Sequence, residues 1–258
     1  MGEKVKEKAV IISQEEISLD IYSMWIDTNA AKTAKPGQFV ALYCNDGSRI
    51  LPRPISICEI DKKNNRLRFV YRVVGKGTEE FSKYHAGTEI EIMGPLGNGF
   101  PMEKAKGKKA ILIGGGIGVP PMVELAKQLD AESKVIVAGY RNLLFLDYEL
   151  KACGDFYPAT EDGSIGVKGT VIDAIVENKL EADVIYACGP TPMLRAIKEY
   201  AEKHNIEAWV SMEEKMACGI GACLACVCKT KEKDKHTNVN NTRICKEGPV
   251  FNAEDVEL

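Results

Sequence analysis

Four cysteines near the C-terminus have a spacing that suits metal chemistry. Cys218, Cys223 and Cys226 form a C-x4-C-x2-C run, and Cys245 follows after a longer connection. Three clustered thiolates with a fourth from a later turn are a ligand pattern of a 2Fe–2S cluster. Two glycines inside the run let the backbone bend tightly around such a cluster. The spacing therefore predicts a metal centre that transfers one electron at a time.

The remaining five of the nine cysteines leave one ligand question open. An odd count and the bunching of four cysteines between positions 218 and 228 favour metal binding over disulfides. Four others are expected to be free and buried: Cys44, Cys58, Cys153 and Cys188. Cys228 lies two residues after Cys226, so an extended backbone would point both side chains the same way. Cys228 is therefore an alternative ligand.

A glycine-rich run follows a predicted strand and opens a predicted helix. It spans residues 113–122 and contains Gly114, Gly115, Gly116 and Gly118. Bare backbone at a helix N-terminus allows close approach of a pyrophosphate, and Pro120 and Pro121 suit a first helical turn. The run departs from G-x-G-x-x-G because Pro121 stands at the third position. It predicts a dinucleotide site, and a tight turn without a ligand is the alternative.

A second strand–helix junction contains Cys188, Gly189 and Pro190. In an open parallel sheet, ligands bind at the carboxyl ends of the strands near the switch point. We expect Gly189 and Pro190 to form a shelf at that edge. An ordinary strand–turn–helix junction would have the same residues.

Three short motifs in the N-terminal part could contact a flavin. Within residues 51–57, Arg53 could clamp a phosphate and Ser56 could hydrogen-bond a ring nitrogen. The alternative is a surface arginine between edge-strand prolines. Residues 70–72 add a planar aromatic, and residues 75–78 add an anion-binding turn, with Thr78 as the expected N-cap of a helix over 78–84.

The elements that must position these residues fall into three parts. Up to about residue 102, six short strands separated by turn residues predict a small antiparallel barrel. The strands are expected at 5–13, 17–27, 38–44, 53–60, 67–74 and 89–93. From 103 to 211, alternating strands and helices predict a doubly wound parallel sheet. Residues 212–258 form the cluster module, with a solvated hairpin over the lysine-rich connection 229–243.

Composition narrows the function classes. The chain has 258 residues, 45% hydrophobic residues and a formal net charge of −3, which favours neither nucleic acid nor an anionic membrane as partner. No leader or membrane-spanning run is apparent, so we expect a soluble, cytoplasmic protein. No Ser/His/Asp or Cys/His arrangement suggests itself. The chemistry is therefore expected to come from bound cofactors.

In order along the chain, these motifs resemble the ferredoxin–NADP reductase superfamily. The segment from Glu213 to Cys223 and the run from Cys245 to Phe251 are similar to electron-transfer subunits of NAD-dependent (class 1B) dihydroorotate dehydrogenases. The resemblance covers essentially the whole chain and implies a flavin-binding barrel, a nicotinamide-nucleotide domain and a 2Fe–2S module. The segment Gly94–Phe100 is a further part of the pattern.

The resemblance also implies a role for individual residues. FAD contacts would fall on Arg53, Pro54, Ile55, Ser56, Val70, Tyr71, Arg72, Gly77 and Thr78. NAD would lie across Gly114, Gly115, Gly116, Gly118, Cys188, Gly189 and Pro190. The cluster ligands would be Cys218, Cys223, Cys226 and Cys245.

The activity implied by the resemblance is an electron relay in pyrimidine (UMP) biosynthesis. An FMN-bearing catalytic subunit would oxidise dihydroorotate, and electrons would pass through the cluster and FAD of this chain to NAD+. The two subunits would form a heterotetramer of two plus two.

Two alternatives stay open. One is a related flavin and 2Fe–2S subunit that serves a ferredoxin–NADP oxidoreductase, a sulfide dehydrogenase or a hydrogenase. The other is a cluster-bearing binding module that has lost its flavin. Discrimination between NAD and NADP is also open, because the strand after the glycine turn ends at Arg141 without an acidic residue for a ribose hydroxyl.

Overall fold

The computed structural model describes residues 4–233 and 238–258. The N-terminal part is a closed antiparallel barrel with strand order β1-β2-β5-β4-β3-β6. Its strands are β1 (Val5–Ser18), β2 (Ile21–Asp27), β3 (Phe39–Leu42), β4 (Arg53–Asp61), β5 (Arg66–Arg72) and β6 (Glu89–Leu96), and helix α1 (Lys76–Ser82) lies between β5 and β6. The prediction of a six-stranded barrel is confirmed.

Alternating side chains fill the interior of this barrel. Along β5, Leu67, Phe69 and Tyr71 are buried in the barrel core, while Val70 faces outward into a different apolar cluster. Successive side chains of a strand point to opposite faces, and on β5 the side chains of both faces are buried. Other parts of the molecule must therefore cover the outer face of β5. The outer face of the barrel therefore packs against the rest of the molecule.

The second part is a doubly wound sheet. Its elements are β7 (Lys109–Gly115), α2 (Pro120–Gln128), β8 (Ser133–Tyr140), α3 (Asp147–Lys151), β9 (Asp155–Thr160), β10 (Val167–Lys168), α4 (Val171–Glu177), β11 (Val184–Cys188), α5 (Thr191–His204) and β12 (Glu207–Ser211). The strands run parallel in the order β10-β9-β8-β7-β11-β12. The order reverses between β7 and β11, which makes their carboxyl ends the topological switch point.

The C-terminal part continues this sheet. It contains β13 (Val227–Lys229), β14 (Asn241–Arg243) and β15 (Val250–Asn252). β13 and β14 pair as the predicted hairpin, whose residues 234–237 lie outside the described part of the chain. β15 pairs antiparallel with β12, so the sheet crosses the domain boundary expected at residue 212.

Each face of the sheet has its own cover. Helices α2 and α3, together with the barrel, pack on one face. Helices α4 and α5, together with the C-terminal module, pack on the other, where barrel residues Phe39 and Leu96 join the same cluster. Within residues 4–233 and 238–258, no helix combines the length and hydropathy needed to cross a membrane.

Candidate functional site

The motif at Arg53–Ser56 occupies the first residues of β4. Antiparallel pairing sets Ser56 opposite Phe39 and Pro54 opposite Ala41, whereas Ile55 lies opposite Val40 of the barrel core. Directly paired residues face the same side of a sheet. Pro54 and Ser56 therefore lie on the outer face of the barrel, and Ile55 faces inward.

Arg53 and Gly77 lie close together in the fold although they are 24 residues apart in the sequence. A β-carbon at Gly77 would lie 1.9 Å from Nε of Arg53. The guanidinium therefore rests on the bare backbone at the start of α1, and Nη1 also donates to the carbonyl of Leu51. This cradle presents a fixed positive charge to an anionic group, as the FAD assignment requires.

Thr78 lies in the first turn of α1 but is not its N-cap. The helix begins at Lys76 with Gly75 as N-cap, so the expected start at Thr78 was wrong. The Thr78 hydroxyl instead accepts from the backbone N–H groups of Val74 at 3.0 Å and Gly75 at 3.3 Å. Thr78 stabilises the turn, and its side chain is buried.

The ring of Tyr71 cannot make the expected aromatic contact with a flavin on the outer face of the barrel. The Tyr71 ring is buried in the barrel, stacks on Tyr22 and donates from its hydroxyl to Gln14 at 3.1 Å. The period of two along β5 points Val70 and Arg72 outward instead. A flavin on the outer face would meet Tyr71 only through its backbone.

The two motifs of the expected nucleotide site meet at the switch point. Gly114 pairs with Cys188 across β7 and β11. A β-carbon at Gly118 would lie 2.3 Å from the Cys188 carbonyl oxygen, and one at Gly115 would lie 2.4 Å from the Met193 sulfur. Close packing against the backbone of the second turn therefore requires a glycine at position 118, whereas at Gly115 the neighbour is the flexible Met193 side chain. Met193, which sequence analysis did not single out, covers this junction.

The helix after the glycine turn offers few anion donors. Pro120 and Pro121 have no backbone N–H, and the N–H of Met122 already donates to Val119 at 3.0 Å. Sequence analysis expected N–H groups at this helix start to hold a pyrophosphate. In this geometry Gly116 is the better candidate, because it is half-buried, has φ +52° and has open space at its β-carbon position.

The glycine turn also approaches the flavin strands. It contacts β5, and Ile117 packs in the same apolar cluster as Val70. Ligands on the outer face of β5 and at the switch point would therefore lie next to each other.

The cysteine loop is shaped around the sulfur of Cys218. Gly219 and Gly221 have φ of +69° and +84°, a conformation that favours glycine. The backbone N–H groups of Ala222 and Cys223 donate to this sulfur at 3.3 and 3.4 Å. Burial opposes ionisation of the thiol, but these and neighbouring hydrogen bonds outweigh it and lower the pKa of Cys218 to about 6.

The four predicted ligands influence one another's ionisation. The Cys223 thiol contributes to the lowered pKa of Cys218, and both Cys226 and Cys218 contribute to the raised pKa of Cys245. Burial and the neighbouring Cys226 raise the pKa of Cys245 to about 12. Among residues 4–233 and 238–258, no three His, Cys, Asp or Glu side chains converge on a single ion. Four cysteine thiolates in a C-x4-C-x2-C…C spacing are the ligand set of a 2Fe–2S cluster, so the donor set fits that group.

Cys228 faces the same side as Cys226, as alternation predicted. Both side chains are buried, and the intervening Val227 is more exposed. Cys228 lies on β13, opposite Thr242, and burial raises the pKa of its thiol to about 11.

The segment Gly94–Phe100, which had no assigned role, joins the barrel to the cluster module. A β-carbon at Gly97 would lie 2.5 Å from Pro249 Cδ. Asn98 donates from its backbone to the Gly248 carbonyl at 2.6 Å and from its side chain to the carbonyl of Glu247 at 2.7 Å. This contact holds the turn after Cys245 against the barrel.

Three paired residues on the neighbouring strands β4, β3 and β6 connect Ser56 to the cysteine loop. Phe39 pairs with Ser56 on one side and with Leu96 on the other. Two cross-strand steps correspond to about 10 Å between the Cα atoms of Ser56 and Leu96. A β-carbon at Gly219 would lie 3.3 Å from Leu96 Cδ1. The cysteine loop therefore packs on the barrel face that carries Ser56.

Comparison with known protein families matches two parts of the chain. The family described as the iron–sulfur cluster binding domain of dihydroorotate dehydrogenase B matches residues 213–257. The oxidoreductase FAD-binding domain matches residues 8–100.

Curated proteins match over nearly the full length. The electron transfer subunit of dihydroorotate dehydrogenase B (NAD(+)) from Fusobacterium nucleatum is 43% identical, with 98% of each chain covered. The protein of the same name from Streptococcus thermophilus is 45% identical, with 95% of this chain and 96% of its own covered.

Solved structures show the same fold. A chain of an NADH-dependent reduced ferredoxin–NADP oxidoreductase, described in a study of flavin-based electron bifurcation, superposes with a TM-score of 0.87 at 29% identity, covering 96% of this chain and 89% of its own. A ferredoxin NADP+ reductase from Neisseria gonorrhoeae, with bound FAD and NADP, gives a TM-score of 0.67 at 17% identity, covering 82% of this chain and 95% of its own.

Proposed function

The chain belongs to the family of electron transfer subunits of NAD-dependent dihydroorotate dehydrogenase B, and on that premise we propose that it passes electrons from a dihydroorotate-oxidising partner to NAD+. The partner subunit would carry FMN and perform the dihydroorotate chemistry. A bound cluster supplies single-electron transfer, and a bound flavin exchanges both single electrons and a hydride.

The observation that carries this proposal is the continuity of the three sites. The cysteine loop packs on Leu96, two cross-strand steps from Ser56, and the glycine turn contacts the neighbouring strand β5. A relay needs its stations in sequence and close together. The barrel face provides this, with the expected flavin position between the cluster module and the nucleotide turn.

The residues have separate tasks in this arrangement. Arg53 and the backbone at Gly77 would hold the flavin phosphates, and Ser56 would face its ring from the outer surface of β4. Backbone N–H groups directed at Cys218 would stabilise a cluster thiolate. The glycine turn and the Cys188–Pro190 shelf would hold the nicotinamide nucleotide. The other assigned residues are those that the resemblance implied, with Tyr71 contributing its backbone only. The cluster is proposed to be 2Fe–2S because of the cysteine spacing.

The partner is proposed to dock over the cysteine loop. Ile220 and Leu224 flank the exposed Cys223 and are themselves 46% and 55% exposed. Neighbouring exposed apolar side chains are typical of an interaction surface. We propose that two copies of each subunit form the assembly. Within this chain we propose three domains, over residues 1–102, 103–211 and 212–258.

A second candidate function has one observation in its favour. The superposition with the ferredoxin–NADP oxidoreductase chain, at a TM-score of 0.87, extends over 96% of this chain. A subunit of such an oxidoreductase would use the same sites with another electron donor.

Reconstitution separates the two candidates. The purified protein, with flavin and iron content verified, is mixed anaerobically with an FMN-bearing dihydroorotate dehydrogenase subunit from the same organism. NADH formation from dihydroorotate and NAD+ that requires both proteins is the expected result. A mixture that forms no NADH, while the same preparation exchanges electrons between ferredoxin and a nicotinamide nucleotide, would favour the second candidate. The Cys245→Ser variant is the control for transfer through the cluster.

A further inference from the structure

The two reactants of hydride transfer would be held by different parts of the molecule. The flavin would lie on β4 and β5 of the barrel, and the nicotinamide would lie at the carboxyl ends of β7 and β11. Hydride transfer needs reacting atoms about 3–3.5 Å apart, and an error of about 1 Å can lower the rate on the order of a hundredfold. The contact between barrel and nucleotide sheet must therefore be set accurately.

A buried arginine bridges this contact. Nη1 of Arg68 on β5 donates to Glu59 of β4 at 2.6 Å and to Glu149 of α3 at 2.9 Å. Its Nε donates to the Ser23 hydroxyl on β2 at 2.9 Å. The arginine side chain is only 10% exposed. One guanidinium thus joins a barrel carboxylate to a carboxylate of the nucleotide domain.

Helix α2 makes two further polar contacts with the barrel. Lys127 donates to the second oxygen of Glu59. The buried Glu124 accepts from the backbone N–H of Ile60 at 2.7 Å. We name the five charged residues of this contact the interdomain lock: Glu59, Arg68, Glu124, Lys127 and Glu149.

The interdomain lock lies close to both expected ligands. A β-bulge between Ile57 and Glu59 directs Cys58 into the apolar interface and Glu59 toward Lys127. Glu59 is three residues beyond Ser56, or about 10 Å along a strand. Glu124 is six residues beyond Gly118, largely along α2, which rises about 1.5 Å per residue. A shift of α2 against β4 would therefore move the glycine turn relative to the flavin strand.

Charge and geometry distinguish this contact from an ordinary surface ion pair. Interfaces between domains of one chain are commonly mobile unless they are large and apolar. Arg68, Glu59 and Glu124 are largely buried, and charge-assisted hydrogen bonds add geometric specificity as well as energy. The apolar cluster between α2 and the barrel holds the two domains together, and this packing is not directional. The interdomain lock fixes the position of one domain relative to the other.

We propose that the interdomain lock is a positioning device for hydride transfer between flavin and nicotinamide. This inference rests on the proposed function. Its members are positioning residues, since none of them lies in the Arg53–Gly77 cradle or in the glycine turn.

The test compares two matched lysine variants of the holoenzyme. Lys127→Met removes a cation that pairs with Glu59 across the domains. Lys109→Met removes a cation that pairs with Glu181 at 3.0 Å within the nucleotide domain. The reduction of FAD by NADH is followed by stopped-flow absorbance, with flavin content, NADH affinity and melting temperature measured on the same samples.

For Lys127→Met we expect flavin reduction to slow about tenfold while the Kd for NADH changes less than about twofold. The long-wavelength charge-transfer absorbance between flavin and nicotinamide should weaken. Lys127→Arg should restore both the rate of flavin reduction and this absorbance. Hydrogen–deuterium exchange of the cofactor-free protein should increase along β4 and α2. Lys109→Met should leave all four signals unchanged.

Glu149→Gln is the second variant, since it keeps the side-chain shape and removes one charge of the Arg68 bridge. We expect it to lower the rate in the same way. A lower melting temperature with a wild-type rate per bound FAD in both Lys127→Met and Glu149→Gln would overturn the inference. A wild-type protein whose bound FAD is not reduced by NADH would instead overturn the proposed function, and the inference with it.

Discussion

Gly77 shows how a single residue can be explained only by a distant partner. Its φ is not in the left-handed region, so no turn requires a glycine there. The guanidinium of Arg53 occupies the place of a side chain, with Nε 1.9 Å from the β-carbon position. The two residues therefore form one structural unit, for which we propose anion binding.

Loss of this unit should release FAD. Arg53→Ala should weaken FAD binding on the order of tenfold or more, because a charge-assisted contact to phosphate is lost. Iron content should stay at the wild-type level. The measurement is flavin and iron stoichiometry after gel filtration. Arg195→Ala, which removes an exposed arginine bonded to the carbonyl of Leu258, is the control. Retention of a full equivalent of FAD in Arg53→Ala would refute the assignment.

The cluster ligands give a second prediction at this scale. Cys245→Ser should lose most of the visible absorbance of the cluster, because the cluster loses one of its four proposed thiolate ligands. Cys228→Ser should retain it, since the C-x4-C-x2-C…C spacing is complete without Cys228. Iron and sulfide analysis with electron paramagnetic resonance of the reduced protein checks both variants. The opposite pattern would assign the fourth ligand to Cys228.

At the scale of elements, Glu80 of α1 tethers the loop that precedes β4. Its carboxylate accepts from the backbone of Asn45 at 2.7 Å and of Asp46 at 3.0 Å, and from Tyr84 and Arg49. Partial burial opposes ionisation, but these donors outweigh it and lower the pKa of Glu80 to about 2. The tether links the Arg53 side of the flavin cradle to the helix that carries Gly77.

This pKa sets a pH dependence. A carboxyl with a lowered folded pKa stabilises the protein fully above its unfolded pKa, and the contribution falls as pH decreases from about 4.5 toward 2. After screening by solvent, we expect about 1–2 kcal/mol. Glu80→Gln should lower the free energy of unfolding near neutral pH by that amount. Between about pH 4.5 and 2, the free energy of unfolding of the variant should decrease less steeply than that of the wild type. Equal pH dependence in variant and wild type would contradict this role.

The contact between the barrel and the cluster module predicts a difference between two glycines. Gly97 and Gly87 have φ of +73° and +87°, but a β-carbon meets Pro249 at Gly97 and open space at Gly87. Gly87→Ala should cost about 1 kcal/mol for the backbone conformation alone. Gly97→Ala should cost on the order of 1–3 kcal/mol more because of overlap, and should slow electron exchange between flavin and cluster. Chemical denaturation and stopped-flow absorbance measure the two effects.

At the scale of the whole molecule, the cysteine loop leaves an unusual leucine at the surface. Leu224 has φ +57° and is 55% exposed. Such a backbone conformation is uncommon for leucine and unfavourable without a compensating role. Its position beside Cys223 suits a contact with the partner subunit.

Replacement of this side chain should weaken the complex without harming the cluster. Leu224→Asn removes apolar surface, and asparagine tolerates the left-handed region. We expect the Kd for the catalytic subunit to rise about tenfold or more, as for a central interface residue. Leu19→Asn, at an exposed leucine of the β1–β2 turn, is the control. Unchanged affinity, measured by calorimetry with cluster absorbance intact, would place the interface elsewhere.

Sequence alone determined the barrel, the parallel sheet and the cysteine set. Each of these depends on local regularities: strand alternation, strand–helix alternation, and three ligands within one loop that a fourth from a later turn completes. The structure confirms the barrel and the sheet, and the four cysteines stay the predicted ligands. Short-range geometry constrains the types and spacing of such residues along the chain.

Only the tertiary structure decided how these parts meet. The Arg53–Gly77 cradle, the docking of Gly97 on Pro249 and the bridge at Arg68 join residues that are far apart in the sequence. Alternation also could not show that Tyr71 faces inward, because β5 is buried on both faces. Long-range contacts depend on which surfaces pack together, and no local pattern encodes that choice. The relay proposed for this protein requires those contacts.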